Sequence, residues 1–288
     1  MLFVAALIWG TAFVAQRKGM DYIGPMTFTG LRFLLGAIVI IPVLLYQSNT
    51  GMIKKNNIRF LLRTAPLAGL VLFAGASLQQ IGLVTTTASK AGFITGIYIT
   101  IVPVISVILR HKVPISTWLG CLVAFFGMYL LSVEGNFTIA SGDMFVLASA
   151  VFWAIHVQLI GYLVKRINPW QLAFIQFLTC SVLSLITAVF TETISIHAVT
   201  DAGIPIFYGG VLSVGIAFTL QVLSQQTSPP SHAAVIMSLE MPIAALAGYF
   251  ILNELLDTRD ITGCILMLAG VLIVQIANIT RIKTDSIN

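Results

Sequence analysis

Glu240 stands two residues before Pro242, inside the long apolar run from Ser231 to Leu252. A carboxylate at that depth is costly if unpaired, so it must face a polar cavity or carry a proton. Pro242 has no N–H for the carbonyl four residues back, which predicts a local bend beside the carboxylate. His156 is the histidine that falls in the middle of such a run, three residues after Trp153, so the two share one helical face. An imidazole there could exchange a proton or simply donate one hydrogen bond to the bundle. His111, His197 and His232 fall at run ends or between runs. No His, Cys or carboxylate cluster has metal-ligand spacing, so neither a metal nor another cofactor is expected, and no residue is assigned as catalytic.

Uncharged amides form a second group. Gln79 and Gln80 lie in one apolar run, Gln176 in another and Gln221 in a third. Amides in lipid need partners, which a bound solute or a neighbouring helix can supply. Arg32 also sits within a run, about four residues from its centre; it could hold a carboxylate, pair inside the bundle or snorkel toward the interface. Trp9, Phe13, Tyr98 and Trp153 could wall a cavity suited to an apolar or cationic molecule, or merely fill a core. Gly120 and Gly127 are seven apart, as are Gly263 and Gly270. Small residues at that period flatten a helix face for close approach, so these two segments should pack together, or one should pack on a second copy. A monomer or a homodimer is therefore expected.

The surrounding elements follow from composition. Of 288 residues, 58% are hydrophobic and 9% charged. Soluble chains carry about 25% charged residues, so this one cannot cover a water-facing surface of its size. The net charge of +5 is spread thinly between apolar runs rather than gathered on a face, which excludes nucleic-acid binding. Cys121, Cys180 and Cys264 lie within apolar runs and act as small hydrophobes rather than as a disulfide framework.

A bilayer core takes roughly 20 apolar residues in helical form. Ten such runs are legible: Leu2 to Gln16, Met26 to Tyr46, Leu61 to Val84, Ser89 to Leu109, Ile115 to Val133, Asp143 to Val164, Trp170 to Phe190, Gly203 to Leu223, Ser231 to Leu252, and Ile261 to Ile282. They consume about 210 residues and leave no room for a separate soluble domain. The first is short and lacks the basic start and cleavage site of a secretory signal, so it is read as a retained span. With the N-terminus cytoplasmic, Lys54, Lys55, Arg59, Arg63, Arg110, Lys112, Lys165, Arg166, Arg281 and Lys283 fall inside. Arg17, Lys18, Lys90 and Arg259 fall outside, so the positive-inside rule predicts both termini in the cytoplasm.

The chain repeats at half its length. Trp9 matches Trp153 and Pro25 matches Pro169, each 144 residues later; Gly120, Cys121 and Gly127 match Gly263, Cys264 and Gly270, each 143 later. The fold expected is an all-α membrane protein of ten transmembrane helices in two inverted five-helix repeats, residues 1–140 and 141–288. Inversion follows because five spans return the second copy from the opposite side. Inverted repeats can exchange conformations around a site between them, the architecture of many secondary transporters.

Several segments also resemble the EamA-type members of the drug/metabolite transporter superfamily: "LIWGTAFVAQ", "LRFLLGA", "ASKAGFITGIYITIVPVIS", "SLEMPIAALAGYFILNELL" and "GCILMLAGVLI". The resemblance covers nearly the whole chain. It implies ten helices, a cavity between the halves, and export or uptake of a small metabolite across the inner membrane, with export the favoured direction; the substrate differs among members and does not transfer, and an amino acid or related amphipathic compound is the working expectation. The family often closes its fourth and ninth spans with a Gly-Glu-like turn. Here the ninth ends in Asn253 and Glu254, while the fourth ends in Arg110, His111 and Lys112. The seven-residue glycine spacing also resembles that of the small multidrug resistance proteins, whose last helices dimerise.

The competing classes are an intramembrane hydrolase and a non-transporting membrane protein. Gly75-Ala76-Ser77-Leu78 superficially resembles a rhomboid serine-protease motif, with His156 as its possible base, but that needs the two side chains within hydrogen-bond reach. Zinc-protease and phosphate-loop patterns are absent from the sequence, so any energy should come from an ion gradient or the solute's own gradient.

Overall fold

The computed structural model describes residues 1–50, 58–86, 88–132, 141–252 and 257–285. Lys54, Lys55, Asn253 and Glu254 lie outside the described residues. Every regular element among the described residues is helical. The first half contributes α1 (Leu2–Gly19), α2 (Pro25–Asn49), α3 (Ile58–Thr85), α4 (Ala88–Gly96), α5 (Tyr98–Ile108) and α6 (Ile115–Ser132). The second contributes α7 (Ser141–Leu163), α8 (Pro169–Thr191), the short α9 (Ile196–Asp201) and α10 (Gly203–Phe207), a π-helical segment (Tyr208–Phe218), α11 (Thr219–Ser224), α12 (Pro230–Met237), α13 (Glu240–Leu252) and α14 (Thr258–Asp285). Among the described residues, eight stretches are long and apolar enough to cross a membrane. The 18-residue α1, whose last turn carries Arg17 and Lys18, and the shorter apolar stretch Ile115–Leu130 of α6 pack against them.

Three of the apolar runs are not continuous α-helices. The run from Ser89 to Leu109 breaks at Ile97, between α4 and α5. Pro103 lies inside α5, and the carbonyl it leaves without a helical donor, that of Ile99, accepts the Cys121 thiol at 3.5 Å. The run from Ser231 to Leu252 breaks at Ser238 and Leu239, four residues and three residues before Pro242. Glu240 is therefore not mid-helix. It opens α13, where an anionic side chain is favoured by the helix dipole. In the run from Gly203 to Leu223, the middle winds as a π-helix, a rare form that widens the turn and is frequent at functional sites.

Helix ends are tied across the bundle. Pro169 begins α8, and Asn168 Oδ1 caps it by accepting from the Trp170 and Gln171 amides at 3.0 and 3.3 Å. The Asn168 amide donates to Gln47 Oε1 near the C-terminal end of α2, at 3.3 Å. At the other end of the pair, Glu192 just beyond α8 caps α2. Its carboxylate accepts from the Met26 and Thr27 amides at 2.7 and 2.9 Å and from the Thr27 hydroxyl at 2.6 Å. Midway, Ser181 Oγ donates to the Gly30 carbonyl at 2.9 Å. α2 and α8 thus run antiparallel along their whole length.

α6 and α14 make a second antiparallel pair, with the four heptad glycines at the crossing. A Cβ on Gly120 would lie 2.6 Å from the Gly270 carbonyl oxygen, one on Gly127 2.6 Å from that of Gly263, and one on Gly270 2.6 Å from that of Gly120. No side chain fits there, so the backbones touch directly. The end of α5 closes without a glycine. Arg110 takes a left-handed conformation with φ 61°, while the His111 amide reaches the Ser106 carbonyl at 2.8 Å. That closes α5 as a Schellman turn, with a side chain where glycine is normally preferred.

Glu192→Ala is expected to lower folding stability by about 1–2 kcal/mol through loss of the α2 cap, read as a fall in melting temperature in detergent; an unchanged value would show that the cap carries no weight. Arg110→Gly should raise stability by about 1 kcal/mol by removing the left-handed strain, measured the same way.

Candidate functional site: a cavity at the helix interruptions

The interruptions border one cavity, whose empty space, open solvent included, is about 540 Å³. α1 supplies Trp9, Phe13 and Gln16 from one helical face; α2 supplies Arg32 and α3 supplies Gln79. Thr95 and Tyr98 flank the α4–α5 break, and Met237 and Glu240 flank the α12–α13 break. Trp153 and Val157 come from α7, Ser213 and Phe218 from the π-helical segment, and Gln221 from α11. Irregular backbone at membrane depth is tolerated where it is buried in protein or lines such a chamber.

Phe218, the last residue of the π-helical segment, anchors the aromatic wall. Its ring centroid is 4.7 Å from that of Trp9, edge-on, and 5.8 Å from that of Trp153, stacked. The repeat-related tryptophans thus grip one phenyl ring from two sides. The Trp9 indole N–H donates to the Ser213 carbonyl at 3.2 Å, and Tyr208 donates to the Ile8 carbonyl at 3.1 Å and bonds the Thr11 hydroxyl. α1 is therefore clasped to the π-helical segment. Next to Trp9, Gly10 lets α1 run against α13: a Cβ there would lie 2.6 Å from the Glu240 carbonyl oxygen. That close crossing puts the Trp9 and Glu240 side chains on one chamber.

The amides divide between the chamber and its supports. Gln79 Nε2 donates to Thr95 Oγ1 at 2.9 Å, joining α3 to α4 at the cavity wall. Gln221 Nε2 donates to Gln225 Oε1 at 3.3 Å, and Gln225 in turn donates to the Val157 carbonyl at 2.9 Å. Gln80 lies outside the lining; its amide donates to the Gln16 carbonyl at 3.4 Å and so props α1. His156 and Gln176 also lie outside it, with His156 Nε2 and Gln176 Oε1 2.8 Å apart. This pair is fully buried behind Trp153 and Phe218.

Of the residues singled out in the sequence, the structure brings Trp9, Phe13, Arg32, Gln79, Tyr98, Trp153, Gln221 and Glu240 to one cavity. Gln16, Thr95, Val157, Ser213, Phe218 and Met237 join them without having been singled out. Gln16 had a usable signal, seven residues after Trp9 on the same face of α1. Phe218 had none, being one of 18 phenylalanines. Ser77 is buried and its hydroxyl has no hydrogen-bond partner, so it makes no dyad with His156 in this structure.

Polar atoms that line the chamber lack protein partners. Buried and unpaired are Gln16 Oε1, Arg32 Nε, Trp153 Nε1 and Gln221 Oε1. Among the described residues, neither the Arg32 guanidinium nor the Glu240 carboxylate forms an ion pair. Arg32 instead rests over the Phe33 and Phe28 rings, 5.1 and 5.7 Å from their centroids. Such an inventory is able to bind a small amphipathic solute: aromatic surface for its body, and unspent donors and acceptors for its polar groups.

Fold and chamber together define a multi-pass membrane protein of the transporter class. The chain belongs to the EamA-like transporter family, whose pattern matches residues 1–133 and 140–276. It is 32% identical over 279 residues to a protein of Archaeoglobus fulgidus described as an uncharacterized transporter, covering 96% of this chain and 84% of that protein. It is 23% identical to YoaV of Bacillus subtilis, described in the same words, with 92% of each chain covered. A crystal structure superposes with a TM-score of 0.80 at 19% identity, over 96% of this chain and 95% of the other, a likeness of fold.

Single cysteines test the chamber's outline, in a background with Cys121, Cys180 and Cys264 replaced by alanine. Gln79→Cys and Phe13→Cys are expected to react with a small water-soluble methanethiosulfonate reagent, and His156→Cys to stay protected. Equal labelling of all three would contradict the placement of His156 behind the wall.

Proposed function

We propose that this protein is a secondary transporter that moves a small amphipathic metabolite by alternating access, with export the favoured direction. In this reading its ten membrane-crossing segments form two inverted five-helix repeats in the inner membrane, both termini cytoplasmic. The observation that carries the reading is where the cavity lies. Seven of its lining residues come from positions 1–140 and seven from positions 141–288, and it is bordered by the interruptions at Ile97 and at Ser238 and Leu239. These breaks occupy nearly equivalent places in the two halves. Interrupted helices in corresponding positions are what a carrier uses to form a site near the midplane.

Helix pairing supports the inversion. Counterparts under the repeat, α2 with α8 and α6 with α14, pack against each other in antiparallel fashion. The cross-half pairs follow suit: α3 packs on both α7 and α8, as the π-helical segment packs on both α1 and α2. An in-plane two-fold axis relates such contacts, and rocking about it would open the chamber to alternate sides.

Glu240 is the proton-coupling candidate in this scheme. It is an ionisable group inside the membrane-crossing bundle, it faces the chamber, and it has no ionic partner among the described residues. Such groups mark ion pathways in carriers.

The test is counterflow in proteoliposomes. A carrier shows saturable uptake of a labelled solute driven by unlabelled solute inside, and an imposed pH gradient should also drive it. Glu240→Gln is expected to abolish the pH-driven component. Unsaturable flux would indicate a channel, and unchanged pH dependence in Glu240→Gln would remove the proton-coupling role.

A further inference from the structure

Arg63 lies near the start of α3, and Lys165 and Arg166 lie in the turn that joins α7 to α8. Glycine contacts fix the register between α3 and α7. A Cβ on Gly82 would strike the Val146 side chain, and one on Gly75 would lie 3.4 Å from the Trp153 ring. The step back along α3 from Gly82 to Gly75 thus matches the step forward along α7 from Val146 to Trp153. The same antiparallel register, carried on, sets Ala65 level with Leu163, and both belong to one core cluster. It sets Arg63 level with Lys165. α3 also packs on α8, whose Leu172 and Ala173 share that cluster. Three cations from far-apart stretches of chain therefore converge at one end of the bundle, where α3, α7 and α8 meet.

The described carboxylates lie elsewhere. Asp21, Asp143, Glu192, Asp201, Asp257 and Asp260 stand at the opposite end of the bundle, and Glu240 lines the chamber. Asp285 closes α14, which packs on α6, α12 and α13. Among the described residues, Arg63, Lys165 and Arg166 form no ion pair, whereas Arg17–Asp21 and His197–Asp201 pair at the far end. All three cationic residues are exposed. Arg166 is nevertheless held in place: its Nη1 donates to the Tyr162 carbonyl at 2.9 Å, and its guanidinium lies 3.8 Å from the centre of the Tyr162 ring. Stacking fixes the plane of the guanidinium and leaves its other N–H groups for an oxyanion. Apolar surface adjoins the charges, with Leu62 59% and Tyr162 51% exposed. Trp170 in the first turn of α8 adds a second amphipathic ring, the side-chain type that settles at headgroup level.

We propose that this junction binds the headgroup of an anionic phospholipid, with Arg63, Lys165 and Arg166 around its phosphate and an acyl chain along the exposed apolar flank. Like charges gathered at one level of the interface repel, and an anionic headgroup relieves that repulsion. A lipid suits the place better than a free anion, because apolar surface continues directly from the charges and a lipid fills both. A phospholipid whose phosphate is offset by its own ammonium gains less there. Arg63 belongs to the first half of the chain and Lys165 and Arg166 to the second, so one bound headgroup ties the two halves together at this end. The site is separate from the chamber and independent of whatever solute the chamber takes.

The test uses the full-length protein in a neutral maltoside detergent. It is mixed with dioleoylphosphatidylglycerol, dioleoylphosphatidylcholine or sodium phosphate, with bound lipid counted by native mass spectrometry and the melting temperature followed in parallel. Phosphatidylglycerol should bind about tenfold or more tightly than phosphatidylcholine and raise the melting temperature, and sodium phosphate should not reproduce that rise. The triple variant Arg63→Gln, Lys165→Gln, Arg166→Gln should lose the preference, while Arg17→Gln with Lys18→Gln, at the other end, should keep it. A phosphatidylglycerol carrying a photoactivatable diazirine in its acyl chain should label the segments around Leu62 and Tyr162 of the unmodified protein, which keeps the site testable if the triple variant fails to fold.

Equal retention of the two lipids, a preference that survives the triple variant, or labelling confined to other helices would overturn the site. A rise in melting temperature with sodium phosphate equal to that with phosphatidylglycerol would overturn the lipid as its occupant in favour of a free anion.

Discussion

Inside a bilayer a backbone that leaves the α-helical pattern has no water to satisfy its amides and carbonyls. Everything particular to this protein follows from how that constraint is met. The departures at Ile97, at Ser238 and Leu239, and along Tyr208–Phe218 are not scattered over the lipid-facing surface; all three border one chamber. Enclosure makes them tolerable, and the same enclosure supplies a polar space where charged and amide side chains can persist. The site and the broken helices are one solution to one energetic problem.

Around that chamber the scaffold is tied where helices end and where they cross. α2 and α8 are tied at both ends, with Glu192 capping the start of α2 and Asn168, the cap of α8 itself, donating to Gln47. α6 and α14 meet through glycines that admit backbone-to-backbone contact. α1 differs from both pairs. It is held by a few directed bonds from Trp9 and Tyr208, and by the close passage of Gly10 against α13. Both outer pairs join a helix of the first half to one of the second, and α1 is clasped within the bundle they frame.

The two halves contribute different side chains to the chamber. Trp9 and Trp153 keep their equivalence and share Phe218 between them. Arg32 and Gln176 have lost theirs: one faces the chamber as an unpaired cation, and the other is buried with His156. Glu240 follows the α12–α13 break as Tyr98 follows the α4–α5 break, so a carboxyl stands where the first half has a phenol.

Much of this was legible in the amino-acid order. Apolar runs of bilayer length, the 144-residue recurrence of Trp9 and Pro25, and the heptad glycines follow from helix geometry and hydrophobic burial, which are local or periodic properties of a chain. They were enough to read an all-helical membrane protein, and to mark Glu240 as a residue that must face something polar. Which residues meet in space was a different matter. His156 and Trp153 share a helical face in sequence, yet only the packed bundle decides that Trp153 fronts the chamber and His156 turns to Gln176. Nor does any local pattern distinguish Phe218 from other phenylalanines, or announce that its segment winds as a π-helix. Those outcomes depend on contacts among helices far apart in sequence, and that is why tertiary structure alone settled them.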